Sequence, residues 1–106
     1  MAKIKVPKQV RIGSLDYKVS YNPDIRMDES GWGSCNKRTG ELEFDPKAGA
    51  EKDVTFYHEV IHMMDTNYVL GMDETLIDRL AHGLVELNQN NLSIELDWSD
   101  IKELSQ

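Results

Sequence analysis

The sequence predicts an α+β fold, with a small antiparallel sheet of three to four strands packed on two main helices. Three observations carry this. Apolar residues alternate at period two on either side of Gly13-Ser14, and again on either side of "NKRTG" at 36–40. Beyond residue 49 the period lengthens to that of a helix. It breaks once, at "VLGMDE" (69–74), and resumes to about residue 88.

Residues 1–8 read as a lead-in, because Pro7 cannot donate to a sheet ladder. The next segment places Val10 and Ile12 on one strand. Leu15, Tyr17, Val19 and Tyr21 share one face of the following strand, with Asp16, Lys18 and Ser20 on the other. "NPD" at 22–24 is turn chemistry, followed by the polar connection "IRMDES". "GWGSC" and "ELEFD" form the second hairpin, which Pro46 ends.

The first helix, from Ala50 to about Asn67, gathers Val54, Phe56, Tyr57, Val60, Ile61, Met63 and Met64 on one broad arc. His58 and His62 lie off that arc with Thr55 and Asp65, and Glu59 sits at another edge. Gly71 suits a helix C-terminus and Asp73 an N-cap. The second helix, Glu74 to Asn88, carries the stripe Leu76, Ile77, Leu80, Leu84 and Leu87. The tail 91–106 is expected to form a short helix that docks Trp98, Ile101 and Leu104.

A chain of 106 residues is expected to make a single domain, with one modest core. Acidic residues outnumber basic ones 19 to 12, giving a formal charge of -7, and the basic residues are scattered. That argues against nucleic-acid backbone binding. No apolar run is long enough to span a membrane, and a lone cysteine, Cys35, cannot make an internal disulfide, which favours a cytoplasmic setting.

The chemistry concentrates in "HEVIH", residues 58–62. Two histidines at i and i+4 project from one helix face and can converge on one metal ion, with Zn–N distances of roughly 2.0–2.1 Å. Glu59 is too far round the helix to be a ligand but can reach a metal-activated water as general base. An open zinc site needs a third protein donor. Asp78 is the favoured candidate, since it borders the apolar stripe and would face the histidines if the helices pack antiparallel. Glu74 is the second. Asp65 is the third and suits orienting a ligand better than binding the ion. His82, one turn beyond Asp78, is a candidate to hydrogen-bond a substrate oxyanion, or else a half-exposed helix histidine.

"HEVIHMMD" followed by "DETLIDRLAHGLVEL" resembles the small HExxH proteins encoded by bacteriophages and prophages, which are related to ImmA/IrrE-type zinc metallopeptidases of the gluzincin group. The resemblance covers roughly residues 9 to 90. It implies a minimal zincin-like core, a Zn²⁺ cofactor held by His58, His62 and Asp78, Glu59 as catalytic base, and a peptide or protein substrate laid along an edge strand. It also implies a bacterial host cell. The family usually has Glu where Asp78 stands, and Asn or Asp where His82 stands. The alternative function is a non-catalytic zincin-like protein that binds and inhibits a host protein.

Overall fold

The computed structural model describes residues 2–25 and 31–103. In chain order the elements are β1 (Ala2–Lys5), β2 (Gln9–Ile12), β3 (Leu15–Tyr21), β4 (Gly33–Asn36), β5 (Glu41–Phe44), α1 (Glu51–Tyr68), α2 (Glu74–Glu86) and β6 (Ile94–Asp97). A 3₁₀ turn at Pro46–Ala48 leads into α1, and a π-type turn over Leu87–Asn91 extends α2. Among the described residues no helix is long and apolar enough to cross a membrane.

Both hairpins form, but the sheet that joins them is mixed. The strand order is β2-β3-β5-β4, with β2/β3 and β4/β5 antiparallel and β3/β5 parallel. The second hairpin therefore docks its returning strand on β3, and β4 becomes an outer strand. Hairpin turns can be read locally. The relative direction of two hairpins is set by a long connection, here passing through residues 26–30, outside the described residues. Turn chemistry behaves as expected. Gly13 adopts φ +59 in the two-residue β2–β3 turn, and the Asn36 side chain accepts from the Arg38 and Thr39 amides at 3.0 and 3.3 Å.

The two chain ends differ from the expectation. The lead-in forms β1, and the tail forms β6 rather than a helix. They pair in parallel, Ala2 with Ile94 through Lys5 with Asp97. Ile94 and Leu96 alternate with Glu95 and Asp97, a strand pattern too short to stand out from a single sequence. Trp98 and Ile101 do dock in the core, while Leu104 lies outside the described residues. Trp98 stacks on Tyr21 and meets Phe44 and Phe56 edge-on, and its indole N–H donates to Asp53 at 2.9 Å. The tail also pairs with the end of β3 in parallel: the Tyr21 amide donates to the Lys102 carbonyl, and neighbouring Ser20 is buried, with its hydroxyl unpartnered among the described residues.

The main core lies between the sheet and α1. Tyr17, Val19, Leu42 and Phe44 meet Phe56, Val60 and Met63. A second, smaller seam joins the helices through Ile61, Ile77 and Ala81. The rest of the α2 stripe does not enter it: Leu76, Leu80, Leu84 and Leu87 remain exposed.

The helix junction is tied by side chains. α1 ends with Val69 in the left-handed region (φ 54), and its amide bonds to the Asp65 carbonyl. The Asp65 carboxylate accepts from the Met72 amide at 3.0 Å, and the Asp73 carboxylate caps α2 through the Leu76 amide at 2.8 Å. Val69 is 87% exposed, so its β-branched side chain gives little packing in return for a strained backbone. Val69→Gly is expected to stabilise the protein by about 1 kcal/mol, read as a raised urea midpoint with unchanged slope.

Candidate metal centre

α1 presents three faces at once. Phe56, Val60 and Met63 seat it on the sheet, Ile61 meets α2, and His58 and His62 project into the cleft between α1 and the first turns of α2. The imidazole centroids of the two histidines stand 5.0 Å apart, one helical turn. Across the cleft, the Glu74 carboxylate reaches both rings: Oε1 lies 2.7 Å from His58 Nε2 and Oε2 lies 2.9 Å from His62 Nε2. One donor atom from each of these three residues falls within 4.8 Å of the others.

The sequence favoured Asp78 as the third donor. In the structure Asp78 stands at the back of the first histidine, with Oδ1 3.6 Å from His58 Nδ1. The difference follows from where the helices cross. A tight junction tied at Asp65 and Asp73 brings the first turn of α2 level with the histidines, so Glu74 reaches both rings and Asp78, one turn on, stands beside His58 alone. The extra methylene of Glu74 supplies the reach. Asp65 is taken up by the junction. His82 turns Nδ1 back to donate to the Asp78 carbonyl of its own helix at 2.9 Å, and that bond, helped by nearby Asp78, Glu51 and Glu86, holds its pKa above the usual value.

Glu59 is the residue that the helical wheel placed least well. It is only 7% exposed and lies under β4. It lines a cavity of about 350 Å³ with Trp32, Gly33, Thr55, His58, Glu74 and Asp78. It also lines a second, of about 230 Å³, with Tyr17, Cys35, Lys37, His62 and Thr66. Burial pushes its pKa up from 4.5 to about 7; nearby His58 lowers it and Glu74 raises it. Cys35 is likewise held protonated: burial pushes the thiol up to about 11, opposed by its hydrogen bond with Tyr17.

Gly33 makes this arrangement possible. A Cβ there would stand 2.4 Å from Thr55 Cγ2 and 3.3 Å from Glu59 Cγ. The strand can approach α1 closely only because that position has no side chain. "GWG" at 31–33 carried a hint of this, but a glycine beside a turn reads equally well as part of the turn.

Two imidazoles and a carboxylate, drawn together at the mouth of a cavity, form a donor set that suits a divalent transition metal, zinc included. Comparison of the chain with protein-family models, curated proteins and solved structures returned no significant match. The geometry alone therefore carries the functional argument.

Two outcomes follow from this geometry. Gly33→Ala should cost about 1–3 kcal/mol of stability, seen as a lower thermal midpoint, because the helix or the strand must give way. The second concerns Glu59 in metal-free protein. Below about pH 4.5 the carboxyl is protonated whether folded or unfolded, and it contributes no pH dependence. Between 4.5 and about 7 the unfolded chain releases the proton while the fold keeps it, so stability falls as pH rises. Glu59→Gln removes that loss. In chelator its stability relative to wild type should be flat below pH 4.5 and then rise, by about 1–3 kcal/mol at pH 8. Parallel denaturation curves at all pH values would contradict the assignment.

Proposed function

We propose that the protein is a zinc-dependent metallopeptidase-like domain. In this reading His58, His62 and Glu74 hold the ion, Asp78 orients His58 from behind, and Glu59 is the general base. The observation that carries it is the single Glu74 carboxylate in reach of Nε2 on both histidines, beside a buried glutamate that opens into the adjoining cavity. When bound, the metal would polarise a substrate carbonyl and make water easier to deprotonate. Glu59 would take that proton, and its burial keeps bulk water from competing for the carboxylate. His82, bonded to its own helix, has no part in this scheme.

The substrate direction comes from the sheet. Among the described residues β4 has β5 as its one strand neighbour. The Trp32 carbonyl accepts from the Asp45 amide at 2.9 Å, so Trp32, Ser34 and Asn36 are the positions bonded towards β5. Gly33 and Cys35 therefore turn their amide groups away from β5, to an edge that no strand pairs among the described residues, and Gly33 also lines the larger cavity. An extended peptide can add as a further strand there, with its backbone drawn past His58 and Glu59. β4 is the strand suited to this role.

Metal analysis and a peptidase assay test the proposal together. The purified protein should hold one zinc per chain and melt at a higher temperature with zinc than with chelator. Glu74→Gln and His62→Ala should lose the stoichiometric metal. Asp78→Ala should weaken it by about 10- to 100-fold. Glu59→Gln should retain metal while hydrolysis of unstructured peptides falls to background. Wild-type protein without retained metal, or a Glu74→Gln variant that binds as well as wild type, would overturn the site.

A further inference from the structure

α2 carries an apolar flank that the fold does not use. Leu76, Leu80, Leu84 and Leu87 recur at i, i+4, i+8 and i+11 and are 46%, 44%, 38% and 44% exposed. That spacing keeps them on one side of the helix, away from Glu74 and Asp78, which face the histidines. The flank continues onto α1. Met64 and Tyr68 follow Tyr57 on one face of that helix, both are exposed, and the Tyr57 hydroxyl is bonded to the Asn88 amide beyond the end of α2. Together these side chains expose on the order of 500 Å² of largely apolar surface, comparable to the largest patch on a typical monomer.

We propose that this flank is a homodimer interface in which two copies of α2 pack antiparallel about a two-fold axis near residue 82. Three features select a second copy as the occupant. The flank is self-complementary: an axis there sets Leu80 against Leu84 twice, and Leu87 beside the exposed Leu76. The rim charges are complementary under the same operation, because Arg79 and Glu86, which border the leucines on one side, come opposite each other across the axis. The centre holds Gly83, where an added Cβ would meet nothing within 4 Å in the single chain. A mid-helix glycine costs about 0.5–1 kcal/mol relative to alanine and is unused by the monomer, but it lets two helix backbones approach closely. Doubling the flank brings the buried area to about 1,000 Å², the range of a specific if modest interface.

Sedimentation velocity on the full chain, from micromolar to submillimolar, tests this. Wild type should show a concentration-dependent monomer–dimer equilibrium. Leu80→Glu/Leu84→Glu, with helix content checked by circular dichroism, should raise the dimer Kd at least about 100-fold. Arg79→Glu should weaken the dimer, and adding Glu86→Arg should restore it. Gly83→Ala separates an interface from a tolerated defect: it should raise the thermal midpoint of dilute, monomeric protein while weakening the dimer. A wild type that stays monomeric throughout the range, or a dimer indifferent to both Leu80→Glu/Leu84→Glu and Gly83→Ala, would overturn the proposal. None of these substitutions touches His58, His62, Glu59 or Glu74, so metal binding serves as an independent check that the fold is intact.

Discussion

The rotational setting of α1 on the sheet is the constraint on which the other features depend. Phe56, Val60 and Met63 can bury against Leu42 and Phe44 at only one rotation of the helix. That rotation also decides where the intervening residues go. Glu59, between Met63 and the histidines in projection, is carried under β4, while His58 and His62 are carried out to the cleft and Ile61 to α2. Trp98 locks the setting from the far side, packed on Phe44 and Phe56 and bonded to Asp53 in the first turn of α1. A small rotation would lose aromatic packing, expose Glu59 and part the histidines from Glu74 together. Core and candidate site are therefore not separable layers in a chain this short.

The same setting explains why the protein tolerates a buried acid. Desolvation of Glu59 opposes folding once the carboxyl must ionise, and nearby His58 offsets only part of it. The cost is bounded because the group can keep its proton, and because His58 and two cavities stand beside it rather than a sealed hydrocarbon wall. A structural role would be served as well by Gln or Met at this position, without the pH-dependent loss. An acid buried under a strand, at the mouth of a His-His-Glu cluster, is a local conflict consistent with the proposed function.

The sequence revealed most where the signal was local. Period-two runs and Gly-containing turns placed both hairpins, the change of period placed both helices to within a few residues, and Asp73 was legible as a cap. The spacing of His58 and His62 marked one wall of the cleft. What could not be read depended on partners distant in sequence. The pairing of β1 with β6 joins residues about ninety apart, and each strand alone is four residues of weak alternation. The parallel β3–β5 contact is invisible to hairpin logic. Glu74 and Asp78 are one turn apart on the same helix, so choosing between them required the height at which α2 crosses α1. The leucine stripe shows the opposite failure. Its periodicity was plain, yet of that stripe only Ile77 is buried against α1, beside Ala81, because a helix covered on one side by another helix has more apolar surface than one neighbour can bury.

That crossing height makes the α1–α2 junction more than a connection. Glu74 is the one member of the donor set that α1 does not supply, and its position rests on two hydrogen bonds made by the carboxylates of Asp65 and Asp73. Those bonds span an exposed segment, residues 69–71, that contains a strained Val69 and a left-handed Gly71 and contributes nothing to the core. Such a segment is among the easiest parts of a small fold to open locally. An ion shared between His58, His62 and Glu74 would bridge the junction and oppose that opening, so metal affinity and local stability are one coupled quantity. Tightening the loop without altering any donor should strengthen binding, and loosening it should weaken binding even with all three donors in place. The proposed metal centre would in this sense be a property of the helix pair, delivered by its loop, more than of the five-residue motif that first points to it.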